Sequence, residues 1–514
     1  MPWLAWPTSG AAAITSEVLA RPPVGWLSGL THAHPHHQRI FRAFGGAAPE
    51  AFCVPAVLAA WSGTVGTHLS AAVVQRLTGE VDGPQAELFA RRVDSVRRLL
   101  DDLDLSELRL ALEARVVEML HVPGPSALRV RAAADFYYSQ AARIHYQQHA
   151  PVRSLNQVVA GARWRAVQRG RTSEDDLHHA VLEGSGPAGP LFINVLRGKR
   201  VRVQAVDLRG DPRTFADAVS DRGAVAAVSG GFFLYSEPDI VPPLQRRHPV
   251  GLLRSAGVVV SPPGLRRSCL LMGDTVDIAR VGPVGWSVHL GAWSARIEAC
   301  NDPSLPGVTL FNRAFGDTAP APGLRIAGTA ALGRSAQIDL LGGVVVFPEG
   351  NAPDLCGPVV WQPPAGFGFR DAMAGGPLLL GAPPLLDLVH EDFAGSAPPV
   401  TFSKDETYDQ NLLPRMAAGI DDRGRLVFAG IDGRNFTRAP GFTLAMTAEL
   451  MRALGCVRAM NLDGGSSKRM VVNGHTVDLS TTEVRGVALQ RGPPPSAGGS
   501  LTRRVVSALM MWPR

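Results

Sequence analysis

The chain has 514 residues, 46% hydrophobic and 19% charged, which allows several domains with sizeable cores and excludes global disorder. Its formal net charge of +6 is dominated by Arg. No dense Lys/Arg run with interleaved aromatics is present, so a nucleic-acid partner is not expected, whereas a mildly basic surface suits an anionic substrate such as a phosphodiester.

In chain order, residues 1–50 are rich in Pro, Gly, Ala and His without a clear period and are expected to form an extended arm. The opening residues lack the basic start and apolar run of a signal peptide, which points to a cytoplasmic location. His32, His34, His36 and His37 have no Cys or acidic residues nearby, so a solvated loop is expected rather than a metal site. Residues 51–75 carry no Asp, Glu, Lys or Arg and could span a bilayer, but Pro55, Gly63, Gly66 and His68 interrupt them. A buried helix pair is the better expectation.

Residues 51–185 read as a mostly α-helical domain, with apolar residues three and four apart from Leu88 onward. Its role is open between a cap over a cleft, a partner or oligomer surface, and a membrane-associated segment. His145 and His149 read as a polar helix face, and His178 and His179 carry no chemical signal. The breaker cluster at residues 184–189 is taken as a domain boundary. From about 190 to 514, short β-type runs alternate with Gly/Pro turns, as at residues 191–196, 201–206, 257–260, 337–341 and 343–347. Such spacing predicts a large sheet or barrel-like core. The five cysteines, Cys53, Cys269, Cys300, Cys356 and Cys456, are scattered without C-x-x-C spacing. Buried free thiols are expected, not zinc or a disulfide framework.

The last third is the most informative. Residues 416–420 and 425–431 predict two strands joined by the turn Asp422-Arg423-Gly424, the second ending at Asp432-Gly433-Arg434. A helix follows, capped by Thr443, with an apolar stripe of Leu444, Ala448, Met451 and Leu454 and an end at Gly455. A strand at 457–462 stops at Asp463-Gly464-Gly465-Ser466-Ser467, and Asn473-Gly474 predicts a hairpin. Asp432 and Asp463 therefore each stand where an apolar strand meets glycine. Strand ends hold side chains rigidly while presenting them to a cleft. The amides of Gly464 and Gly465 can form an anion nest, Ser466 and Ser467 add hydroxyls, and Arg415 and Arg434 offer guanidinium to phosphate. Read locally, the same residues could also be ordinary turns and a surface ion pair. Asp463 and Asp432 could hold Ca²⁺ or Mg²⁺ with backbone oxygens, although the spacing does not require a metal.

The ordered pieces from Arg415-Met-Ala-Ala-Gly-Ile through Asp432-Gly-Arg, the capped helix and Asn461-Leu-Asp-Gly-Gly-Ser-Ser resemble the phosphodiester glycosidase family. Upstream, Val228-Ser229-Gly230-Gly231-Phe232-Phe233, His248-Pro-Val-Gly-Leu, Thr309-Leu-Phe-Asn, Ala374-Gly-Gly-Pro-Leu-Leu and Arg503-Arg-Val-Val are similar to further elements of that family. The resemblance covers about residues 190–512. Ser229 stands where the family usually has Asn, and Ser466 where a third glycine is common.

The resemblance implies an α+β domain, a large curved sheet flanked by helices. It implies a hydrolase that cleaves the glycosidic bond of a small or polymeric sugar-1-phosphodiester, releasing sugar and a phosphate monoester, with no required cofactor. Asp463 would be nucleophile or base and Asp432 would orient substrate or water, the division between them being open. Arg415, Ser466 and the Gly464 and Gly465 amides would bind phosphate, with Gly230 and Gly231 as a second backbone wall. The alternatives are a non-catalytic carbohydrate-binding protein of the same fold and a phosphodiesterase that breaks the P–O bond.

Overall fold

The computed structural model describes residues 153–167, 173, 175–187, 189–234, 248–339, 341–348, 352–393, 412–433, 439–478 and 504–513. The expected arm, most of the expected helical domain and residues 51–75 lie outside the described residues. No helix among the described residues is long and apolar enough to cross a membrane.

The described residues are mostly β-sheet. The strands divide among five sheets instead of one large curved sheet, with α-helices at Leu155–Ala160, Phe215–Asp221 and Leu444–Ala453. The helical reading fails from residue 178. His178–Gly186 is a strand paired along its length with Gly189–Gly198, and the supposed boundary at 184–189 is the turn of that hairpin. Burial of Ala180 and Leu182 on one side gives a half-buried strand, a period-2 pattern. The strand expected to start at Gln337 instead ends there: Gln337 is the last residue of the Ala330–Gln337 strand, and the Ile338 amide donates to the Asp317 carbonyl.

A seven-stranded sheet positions the candidate site. Its order is Arg165–Ala166, His178–Gly186, Gly189–Gly198, Leu426–Ile431, Arg415–Asp421, Cys456–Leu462 and Leu378–Leu380. Its central strands read as nearly unbroken apolar runs because both faces are covered. Ile193, Val195, Ala417, Val427, Ala429 and Ile431 face one way and pack with Leu444, Ala448, Leu450 and Met451 of the Leu444–Ala453 helix. Leu196, Met416, Ala418, Phe428, Met460 and Leu462 face the other way. There they meet Ala226, Val228, Leu509 and Met511 of a five-stranded sheet. That sheet runs His475–Thr476, Met470–Val472, Ala226–Ser229, Ser507–Pro513 and Val201–Asp207. The helix forms as its sequence predicts: the Thr443 hydroxyl accepts from the Met446 amide at 3.1 Å, and Leu454 caps the other end. At the Asn473-Gly474 turn both residues have positive φ, 50° and 77°, the conformation a two-residue hairpin demands.

A buried carboxylate ties these layers to the rest of the domain. Glu391 accepts from the Ser268 amide and hydroxyl, both at 2.8 Å, from the Leu378 amide at 2.8 Å and from Arg280 Nε at 3.1 Å. Such a group is tolerated in a core because its lone pairs are spoken for. Beside it the Arg267 guanidinium lies 3.4 Å over the Phe393 ring.

The cysteine expectation holds only in part. The four described cysteines are free, but Cys356 is exposed and Cys300 only partly covered, while Cys269 and Cys456 are buried. Burial pushes the Cys456 thiol up to about 12, so it stays protonated and unreactive at neutral pH.

Candidate active site

Strand register assembles the site. Within the seven-stranded sheet Arg415 pairs with Ile431 on one side, and Met416 pairs with Leu462 on the other. Asp432 and Asp463 directly follow Ile431 and Leu462, so the strand beginning with Arg415 is flanked by two strands that each lead into an aspartate at the same end of the sheet. The Asp432 amide donates to the Phe192 carbonyl at 3.0 Å and the Asp463 amide to the Gly230 carbonyl at 3.2 Å. Both carboxylates are therefore fixed by their own backbone at one end of the sheet.

All three charged groups are buried: Asp432 is 2% exposed, Asp463 4% and Arg415 1%. The turn and surface-pair readings of Asp432 and Arg415 are thereby corrected. Arg415 Nε donates to the Phe442 carbonyl at 3.0 Å, anchoring the guanidinium against the segment that leads into the capped helix. Charges removed from water interact strongly with one another, and a cluster of this kind is what a reacting site uses to act on developing charge.

Three of the glycine amides at the site already make hydrogen bonds. The Gly465 amide donates to the Pro414 carbonyl at 2.8 Å, the Gly230 amide to the Ser507 carbonyl at 3.0 Å and the Gly231 amide to Met373 Sδ at 3.1 Å. These three amides tie neighbouring segments of the fold together. The glycines are needed for space. A Cβ on Gly231 would lie 2.0 Å from the Ala374 carbonyl oxygen, and one on Gly464 would lie 2.5 Å from that of Pro414. Gly465 adopts φ 54° and opens a short 3-10 turn through Ser467. Ser229 is likewise a clamp: its hydroxyl accepts from the Arg469 amide at 3.1 Å, joining the Ala226–Ser229 strand to the chain that follows the glycines. Ser467 is buried. Arg434 and the side chain of Ser466 lie outside the described residues.

The structure adds two residues that the sequence reading missed. Lys468 is fully buried and its ammonium reaches Asp432 Oδ1 at 2.5 Å and Asp478 Oδ2 at 2.6 Å. Asp478 also accepts from the Met470 amide at 2.7 Å. Lys468 directly follows the Asp-Gly-Gly-Ser-Ser stretch, but its partners lie 36 and 10 residues away, and no local pattern signals those pairings. Asp432, one of the two carboxylates considered for Ca²⁺ or Mg²⁺, bonds the Lys468 ammonium through Oδ1. No group of three or more His, Cys, Asp or Glu among the described residues could hold an ion.

Residues 363–510 match the model of the phosphodiester glycosidase family. The match takes in Gly375-Gly376-Pro377, Arg415, Asp432, Asp463 and Lys468, and is shorter than the 190–512 stretch carrying the motif resemblance. No curated protein matches the sequence. Among solved structures, a Synechocystis protein aligns at 17% identity and TM-score 0.42, over 66% of this chain and 62% of its own. The chain thus spans less than two thirds of that protein's length. A Burkholderia pseudomallei protein aligns at 19% identity and TM-score 0.42, over 64% of this chain and 75% of its own. The catalytic domain of zebrafish N-acetylglucosamine-1-phosphodiester alpha-N-acetylglucosaminidase, auto-inhibited by its pro-peptide, aligns at 13% identity and TM-score 0.38, over 69% of this chain and 88% of its own.

Proposed function

We propose that this chain, carrying a phosphodiester glycosidase match over residues 363–510, hydrolyses the anomeric C–O bond of a sugar-1-phosphodiester. The observation that carries the reading is the register that brings Arg415, Asp432 and Asp463 to one end of the seven-stranded sheet, all three buried. Such a substrate brings a negative charge and a good leaving group to the same place. The phosphate monoester departs with the electron pair of the broken bond and needs little help from a general acid. What the site must supply is a cation for that charge and a carboxylate at the anomeric carbon.

In this reading Asp463 accepts the proton of the attacking water, or attacks the anomeric carbon itself, and the water oxygen ends on the sugar. Arg415, its plane fixed by the Phe442 carbonyl, balances the growing charge on the phosphate. Asp432 orients the substrate or the water. The sugar and the alcohol beyond the phosphate are not specified by these residues.

The test is turnover of a panel of sugar-1-phosphodiesters by the full chain and by Asp463→Asn, run in ¹⁸O-enriched water. The expected result is label in the released sugar and a fall in kcat of about 10³-fold or more in a folded variant. Label in the phosphate would identify a P–O-cleaving phosphodiesterase. Near-normal turnover by Asp463→Asn would remove its assignment, and binding without turnover would identify a carbohydrate-binding protein.

A further inference from the structure

We propose that Lys468 is a built-in counter-ion that holds Asp432 ionised and in place, with Asp478 anchoring the lysine from behind. Its catalytic meaning rests on the proposed function, since Asp432 borders the reacting groups only in that reading. The geometry is specific. The ammonium has no exposure, and it bridges Asp432 Oδ1 at 2.5 Å and Asp478 Oδ2 at 2.6 Å. Asp478 is pinned in turn by the Met470 amide, and the Lys468 carbonyl accepts from Arg469 Nη1.

Two carboxylates buried this close would not both ionise on their own. A cation between them removes that obstacle, which is the service a divalent metal performs in other acidic sites. Burial alone would push the Lys468 ammonium down, but the two carboxylates outweigh it and hold it above its ordinary value. An aspartate so paired is a poor proton donor. Lys468 is therefore a positioning residue that reserves Asp432 for orienting work and leaves base or nucleophile chemistry to Asp463. The charged groups around the pair are Asp478, Arg469 and, at the same sheet end, Arg415 and Asp463.

The test uses the full chain with Lys468→Met, Asp432→Asn and the double variant, reading thermal midpoints from pH 4.5 to 8. Without the ammonium, the buried Asp432 has lost its counter-ion, and burial disfavours its charged form. Stability from such groups is complete below the unfolded value of about 3.9 and is lost as pH rises through the folded value. The deficit of Lys468→Met should therefore widen with pH, and adding Asp432→Asn should shrink the widening. A deficit that is flat with pH, or that survives Asp432→Asn undiminished, overturns the pairing. If Lys468→Met does not fold at neutral pH, Asp478→Asn provides the second readout. It keeps the cation but loosens its anchor, so kcat should fall roughly tenfold with KM little changed. A proportionate change in KM instead would assign Asp478 to binding and overturn the positioning role. Absence of all turnover by the wild-type chain would defeat the proposed function, while the thermal series would still decide whether Lys468 holds Asp432.

Discussion

Substituting Gly231 by Ala probes whether glycine is present for space or for an anion. The added Cβ would sit 2.0 Å from the Ala374 carbonyl oxygen and 3.4 Å from Met373 Sδ. An ordinary carbon–oxygen contact is about 3.3 Å, so one backbone must move by roughly 1.3 Å. Ala374 cannot retreat easily. Its strand, Asp371–Ala374, is bonded on one side to Leu253–Ser255 and on the other to Arg267–Met272, and the Ala374 and Gly375 amides donate to Leu252 and Ser268. Overpacking of a tight site costs about 1–3 kcal/mol, and the backbone obstacle places this variant near 3 kcal/mol. At about 2–4 °C per kcal/mol the melting temperature falls by roughly 6–12 °C.

The strain also reaches the site. The Gly230 carbonyl accepts from the Asp463 amide, so a displacement of about 1 Å there should lower kcat about 100-fold. Differential scanning fluorimetry and steady-state kinetics on Gly231→Ala are compared with Gly264→Ala, whose added Cβ meets nothing within 4 Å and should cost less than about 0.5 kcal/mol. Wild-type melting and turnover in Gly231→Ala would refute the close-approach explanation. So would an equal loss in both variants.

Two further outcomes follow from named contacts. Arg415→Ala should lower kcat on a phosphodiester by about 10²–10³-fold, the loss typical of removing one preorganised charge donor, with a smaller loss on a neutral aryl glycoside; equal losses on the two would remove Arg415 from phosphate recognition. Burial raises the Asp392 carboxyl above its ordinary value even though the Arg266 amide bonds it. The folded pKa thus exceeds the unfolded one, so the stability it contributes is complete at acid pH and lost as pH rises past the ordinary carboxylate range. Asp392→Asn should therefore gain on the wild type as pH rises from about 4, and a variant that instead loses ground to the wild type over that range in paired melts would contradict the assignment.

What could be read in advance was what depends on local chemistry. Thr443, the stripe from Leu444 to Leu454 and Gly455 define a helix because capping and a 3.6-residue period act within a few residues. Asp432 and Asp463 were visible because an apolar run ending at Asp-Gly marks a strand end regardless of partners. The misreadings came from pairings across the chain. His178–Gly186 has too few apolar residues to announce a strand, and it is one because Gly189–Gly198 lies beside it. Lys468 carries no local signal, because its meaning resides in Asp432 and Asp478. The glycine amides looked open because nothing local indicated that Pro414, Ser507 and Met373 would take them.

The Ser507–Pro513 strand lies between Ala226–Ser229 and Val201–Asp207, partners made roughly 300 residues earlier. During synthesis those two strands wait with open hydrogen-bonding edges while nearly the whole intervening chain emerges. Until residues 507–513 arrive, the nascent domain exposes a slot shaped for one more strand. An open slot of that kind invites pairing by a foreign strand, so the order of synthesis leaves this domain most vulnerable just before its last partner strand arrives.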